Sequence, residues 1–79
     1  MMVGGYKKDS DDFIRLKEVS ITCTTIDEID NLIGFLLHVR EQHNAVKDKT
    51  PTCHSHYRDW FDGWQKNEPD LIVISDFTT

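Results

Sequence analysis

Hydrophobic positions along this chain change their period twice. From Phe13 to Cys23 they recur every second residue, with Ile14 and Leu16 on one parity and Val19, Ile21 and Cys23 on the other. Such alternation predicts a strand with one apolar and one wet face. The shift of parity near Lys17 and Glu18 predicts a β-bulge, or two short strands with a bend between them. Residues 19–23, with Ser20 and Thr22 as polar partners, form the best-patterned strand here. The period then becomes helical: Ile29, Leu32, Ile33, Leu36 and Val39 form a stripe that His43 continues, while Asp27, Asn31, His38 and Glu41 fall on the other side. Thr25-Ile26-Asp27-Glu28 fits a capping box, in which hydroxyl and carboxylate each satisfy a free backbone N–H at the helix start. Ile26, Phe35 and Leu37 widen the apolar band beyond what one small sheet needs, which directs Phe35 or Leu37 toward a second subunit.

Asn44 reads as a helix stop and Pro51 as a barrier to further helix, so residues 44–52 are predicted to be a loop. The remainder reads as strand, connection, strand. Cys53, Ser55 and Tyr57 take one parity and His54, His56, Arg58 and Trp60 the other. Residues 71–74 (Leu-Ile-Val-Ile) are apolar on both faces, the pattern of a central strand, with Pro69 just before them. The order β-α-β-β predicts an α+β fold: a small three- or four-stranded mixed sheet in the spatial order first–third–second, with one helix packed on one face. The last two strands are antiparallel. The opposite face, bearing Ile72, Ile74 and the two histidines, has no second layer in this chain, and a dimer would supply one. Residues 1–12, with two glycines and three aspartates, read as a flexible N-terminal arm, and residues 13–79 as a single domain.

Size changes this picture more than composition does. A chain of 79 residues supports one thin core, typically supplying no more than about 3–5 kcal/mol, so a homodimer is expected on size alone. The net charge of −5 argues against nucleic acid and anionic membranes and leaves basic protein partners open. Two cysteines make no disulfide framework, and no apolar run approaches the roughly 18–20 residues that span a bilayer. With no charged-then-apolar leader either, the expected location is the cytoplasm.

Three constellations could carry chemistry. His54 and His56 sit two apart on a predicted strand, a spacing that metal sites use, but a third and fourth ligand must come from elsewhere. His38, His43, Cys23, Cys53 and Asp59 are the candidates, and parity sets Cys53 and Asp59 on the wrong face. Cys53 and His54, being neighbours on a strand, face opposite ways and form no dyad. The segment Trp60-Phe61-Asp62-Gly63-Trp64 reads as a contact surface, because tryptophan is enriched among interface hot spots. The two tryptophans would fall together if residues 59–64 made a helical turn. Asp59, Asp62, Glu68 and Asp70 would then surround them with an acidic rim. The expected partner-binding residues are His54, His56, Arg58, Asp59, Trp60, Asp62, Trp64, Glu68 and Asp70. No cofactor or catalytic residue is expected.

The His54-Ser55-His56 strand, followed by a short polar connection and Glu68-Pro69-Asp70-Leu71-Ile72-Val73-Ile74, resembles a group of small bacterial immunity proteins that neutralise toxins of polymorphic or contact-dependent systems. That resemblance spans residues 19–77. It implies a non-enzymatic binding protein whose partner is a toxin, often a basic nuclease. Ser55 stands where the family usually has an apolar residue, and residues 59–64 are longer and more aromatic than its pattern. The alternatives are a metal-binding domain on the two histidines, or a structural homodimer using the face of His54, His56, Ile72 and Ile74.

Overall fold

A computed structural model describes residues 1–78. Six elements follow in order: β1 (Val3–Tyr6), β2 (Phe13–Leu16), α1 (Ile26–Val46), β3 (Thr52–His56), α2 (Tyr57–Trp60) and β4 (Ile72–Asp76). The fold is a small α+β arrangement with one long helix and two separate two-stranded antiparallel sheets, β1–β2 and β3–β4. The single mixed sheet expected from the sequence is not formed.

Helix α1 begins as its sequence predicts. Thr25 is extended, and its hydroxyl accepts the Glu28 N–H at 3.2 Å. The reciprocal half of the box is displaced by one residue: the Glu28 carboxylate accepts the backbone N–H and the hydroxyl of Thr24, at 3.2 and 3.0 Å. At its other end α1 runs through Asn44 to Val46, and the Val46 carbonyl then accepts N–H groups from Lys49 and Thr50. Asn44 is tolerated because the next two residues, Ala45 and Val46, continue the helix without strain. Pro51 sets the real limit, and β3 starts one residue after it.

Strands β3 and β4 pair with Thr52 opposite Asp76, His54 opposite Ile74 and His56 opposite Ile72. As read from parity, the histidines and the two isoleucines share a face; Ile72, Ile74 and His54 are exposed on it, whereas His56 is half-buried. The other face, with Cys53, Ser55, Val73 and Ser75, is half-buried. On α1, Phe35 is fully buried and Val39 and His43 nearly so, and these three form the centre of the molecule. The helical stripe is therefore rotated from the one expected. Phe35 serves its own core and meets no second subunit, whereas Ile29, Ile33 and Leu36 lie on the surface. The reason is geometric: positions 35, 39 and 43 are four apart and line one edge of the helix, where Tyr57 and Trp60 cover Phe35.

Residues 19–23 make no ladder, although their alternation is the best in the N-terminal half. Period two specifies which side chains share a face; it does not supply a partner strand. Here Val19 and Ile21 stay exposed and the chain bends at Lys17. Strand β4, expected in the middle, is consequently paired on one edge only. The partner of β2 comes instead from the segment read as a frayed arm. Val3–Tyr6 folds back through a turn in which Asp9 takes a left-handed conformation (φ 62°) and Ser10 donates to the Lys7 carbonyl at 3.0 Å. Gly4 has a specific role in that hairpin, because a Cβ there would run into the Phe13 ring. Phe13 meets Tyr6 edge-on, with centroids 5.4 Å apart. Gly4, one of two glycines that looked like a sign of disorder, is the seat of an aromatic side chain.

Candidate binding groove

Between α1, the C-terminal half of β3 and α2 lies a groove of about 380 Å³. Phe35 and His38 line it from the helix, His54, Ser55 and His56 from the strand, and Asp59 and Trp60 from the short helix. Its floor is aromatic. The Phe35 ring lies 5.4 Å from Tyr57 and 5.8 Å from Trp60, and His38 sits 6.3 Å from Trp60 on the outer side. Gly34 admits the Trp60 indole against the helix: a Cβ built there would lie 3.0 Å from the ring.

One wall is fixed by a charge-assisted pair. His56 donates through Nδ1 to Oδ2 of Asp70 at 2.5 Å, and the Arg58 backbone N–H donates to Oδ1 at 3.0 Å. The Arg58 guanidinium stands 3.7 Å from the same carboxylate. Burial pushes the Asp70 carboxyl up, but the hydrogen bonds from His56 and Arg58, together with their charges, outweigh it and hold it below the usual carboxylate range. With Nδ1 committed, His56 has Nε2 for any contact in the groove. Its ring meets His54 edge-on at 5.4 Å.

Behind the groove, Ser55 is tied to the core. His43 Nε2 lies 2.9 Å from the Ser55 hydroxyl and Nδ1 2.6 Å from that of Ser75. One ring nitrogen donates and the other accepts, so the neutral imidazole satisfies both bonds. Burial, and then the neighbouring His38 and His54, hold its pKa below 6.5. This network was missed in the sequence reading. Its signal was a polar residue continuing an apolar stripe, opposite two serines of inward parity.

Of the nine residues expected to bind a partner, His54, His56, Asp59 and Trp60 line the groove. Asp70 is spent on His56 and Arg58 and contributes no open acid. Trp64 does not join Trp60, because α2 ends at Trp60 and the chain turns away. The Trp64 indole instead donates to the Pro69 carbonyl at 3.1 Å. Glu68 accepts the Gln65 N–H at 2.9 Å and closes the same loop. Asp62 is exposed and lies outside the groove. The expected continuous acidic rim is thus reduced to Asp59 at the groove itself, because Asp70 and Glu68 satisfy nearer donors first.

Among the described residues no three His, Cys, Asp or Glu side chains come together closely enough to hold a metal ion. Both cysteines are free and half-buried. No helix among the described residues is long and apolar enough to cross a membrane. Compared with protein-family models, curated proteins and solved structures, the chain matches none of them.

Proposed function

We propose that this chain is a non-enzymatic protein-binding protein whose groove receives a basic side chain of a partner. The carrying observation is the groove's make-up: a half-buried indole held against Phe35, beside the exposed Asp59 carboxylate, whose charged neighbour, the Arg58 guanidinium, stands at 3.9 Å. A guanidinium or ammonium on the face of Trp gains a cation–π attraction of about 0.5–2 kcal/mol, and a carboxylate nearby adds direction. The chain's net charge of −5 favours encounter with a basic surface. Toxin neutralisation is the specific role that this surface and the family resemblance favour together, with masking of a basic toxin as the mechanism.

The test is co-expression with the product of the neighbouring reading frame, together with co-purification from the native host. The expected result is a stable complex that suppresses the partner's toxicity. Trp60→Ala and Asp59→Lys should each weaken it at least tenfold, about 1.4 kcal/mol or more. Binding unchanged in both variants, or no partner in either experiment, overturns the reading.

A further inference from the structure

Helix α1 carries a second apolar stripe that its own sheet does not use. Ile26, Ile29, Ile33, Leu36 and Leu37 are between 42% and 70% exposed. The first four are spaced three, four and three residues apart, the a/d spacing of a helix that packs against another helix. Read in reverse, a 3-4-3 spacing is unchanged. Two such stripes laid antiparallel therefore coincide, with Ile26 over Leu36 and Ile29 over Ile33. Self-complementarity of this kind is what an isologous interface requires.

Charge follows the same rule. The helix start holds Asp27, Glu28 and Asp30 without a base, while Arg40, Lys47 and Lys49 are interleaved with Glu41 and Asp48 at and beyond its end. Antiparallel pairing keeps the two acidic starts apart, whereas parallel pairing would stack them. A shallow hollow of about 360 Å³ lined by Leu37, Arg40, Glu41 and Asn44 lies beyond Leu36, where the residues leading into a second copy's helix would arrive.

Surface area gives a third argument. A folded chain of 9.2 kDa exposes about 4,900 Å² by the scaling of globular monomers, whereas this one exposes 7101 Å². The excess is about 2,200 Å² per chain, spread over the β1–β2 hairpin and residues 17–22 as well as the second stripe of α1, and an obligate dimer buries roughly 1,000 Å² or more on each partner. We infer that the second stripe of α1 pairs antiparallel with the same stripe of a second copy, so that the folded unit is a symmetric dimer joined helix to helix. The groove stays open in it, since Phe35 and His38 lie on other sides of the helix.

The decisive measurement is the mass of the full chain by light scattering and sedimentation, from low to high micromolar concentration under reducing conditions. The expected mass is twice that of the chain, and the melting midpoint should rise with concentration. A single-chain mass throughout overturns the inference. Ile29→Glu with Ile33→Glu touches no buried residue and should shift the dissociation constant at least a hundredfold. A dimer that survives it lies on another face, and the inference fails. Should that variant not fold, a milder change decides: Ile33→Ser should weaken the dimer about tenfold, and Ile33→Leu should leave it intact. Equal association in the native chain and both of these variants overturns the inference. Partner capture through the groove is read separately, with Trp60→Ala, which leaves the stripe intact.

Discussion

His43 shows how much one residue can decide in a core this small. Its imidazole is buried, bridges Ser55 and Ser75, and stays neutral because burial and two neighbouring histidines disfavour its proton. In the unfolded chain it protonates near 6.5. The unfolded state therefore binds more protons below that pH, and the fold loses stability as pH drops from about 6.5 toward the lower folded value. Above 6.5 the contribution is complete. Asp70 has the opposite origin but the same sign: its depressed pKa stabilises the fold above the usual carboxylate value and is lost as pH falls through the folded one, in a more acidic window. The melting midpoint should thus fall between pH 7 and pH 5, before the carboxylates titrate. Combining His43→Leu, Ser55→Ala and Ser75→Ala replaces both sides of the network with apolar groups, which is close to neutral in stability. That variant should keep its midpoint at pH 5 nearer to its value at pH 7. An unchanged slope would assign the effect to other groups. The position of His43 on the apolar stripe was legible in the sequence; its partners were not, because they come from strands whose register is fixed by distant pairing.

At the scale of elements, α1 and the β3–β4 pair were legible, and the N-terminal half was not. Capping chemistry and antiparallel return are local properties, written into Thr25, Glu28 and the short span between His56 and Ile72. Residues 19–23 had the pattern of a strand but no partner, and Val3–Tyr6 had a partner without the pattern. Pairing is a property of two segments, so one segment's periodicity cannot reveal it. Gly34 offers a test of how α1 and α2 fit. Replacing it with alanine should favour the helix by about 1 kcal/mol, yet the new Cβ would lie 3.0 Å from Trp60. The indole must then shift by a few tenths of an ångström, and because Trp60 lines the groove, the shift alters the groove's wall. Gly34→Ala should therefore melt at or above the native temperature while binding its partner more weakly. A drop in the midpoint would show that Trp60 cannot yield.

For the whole molecule, the β1–β2 hairpin packs mainly on itself, whereas α1 packs on β3 and takes the Tyr57 and Trp60 rings of α2 over Phe35. A chain lacking residues 1–16 should keep its helical circular dichroism and melt within a few degrees of the full chain. A loss of more than about 1 kcal/mol, several degrees for a domain this small, would mean that the hairpin supports the core. The groove itself was half legible: the strand histidines, Asp59 and Trp60 stood out as candidates, whereas Phe35 and His38 could be added only once the rotation of α1 was known. The placement of the core also governs when the chain can fold. Phe35 and Val39 lie in its first half, and everything that covers them, from Ser55 and Tyr57 to Ser75, is synthesised afterward. On the ribosome α1 emerges with both of its apolar stripes wet; Tyr57 and Trp60 can reach Phe35 once α2 is out, but the pairing partner of β3 and the Ser75 end of the His43 bridge arrive only with β4. The last five-residue strand thus sets the moment of folding, and nascent chains stalled a few residues short of it should be digested by protease as readily as unfolded ones.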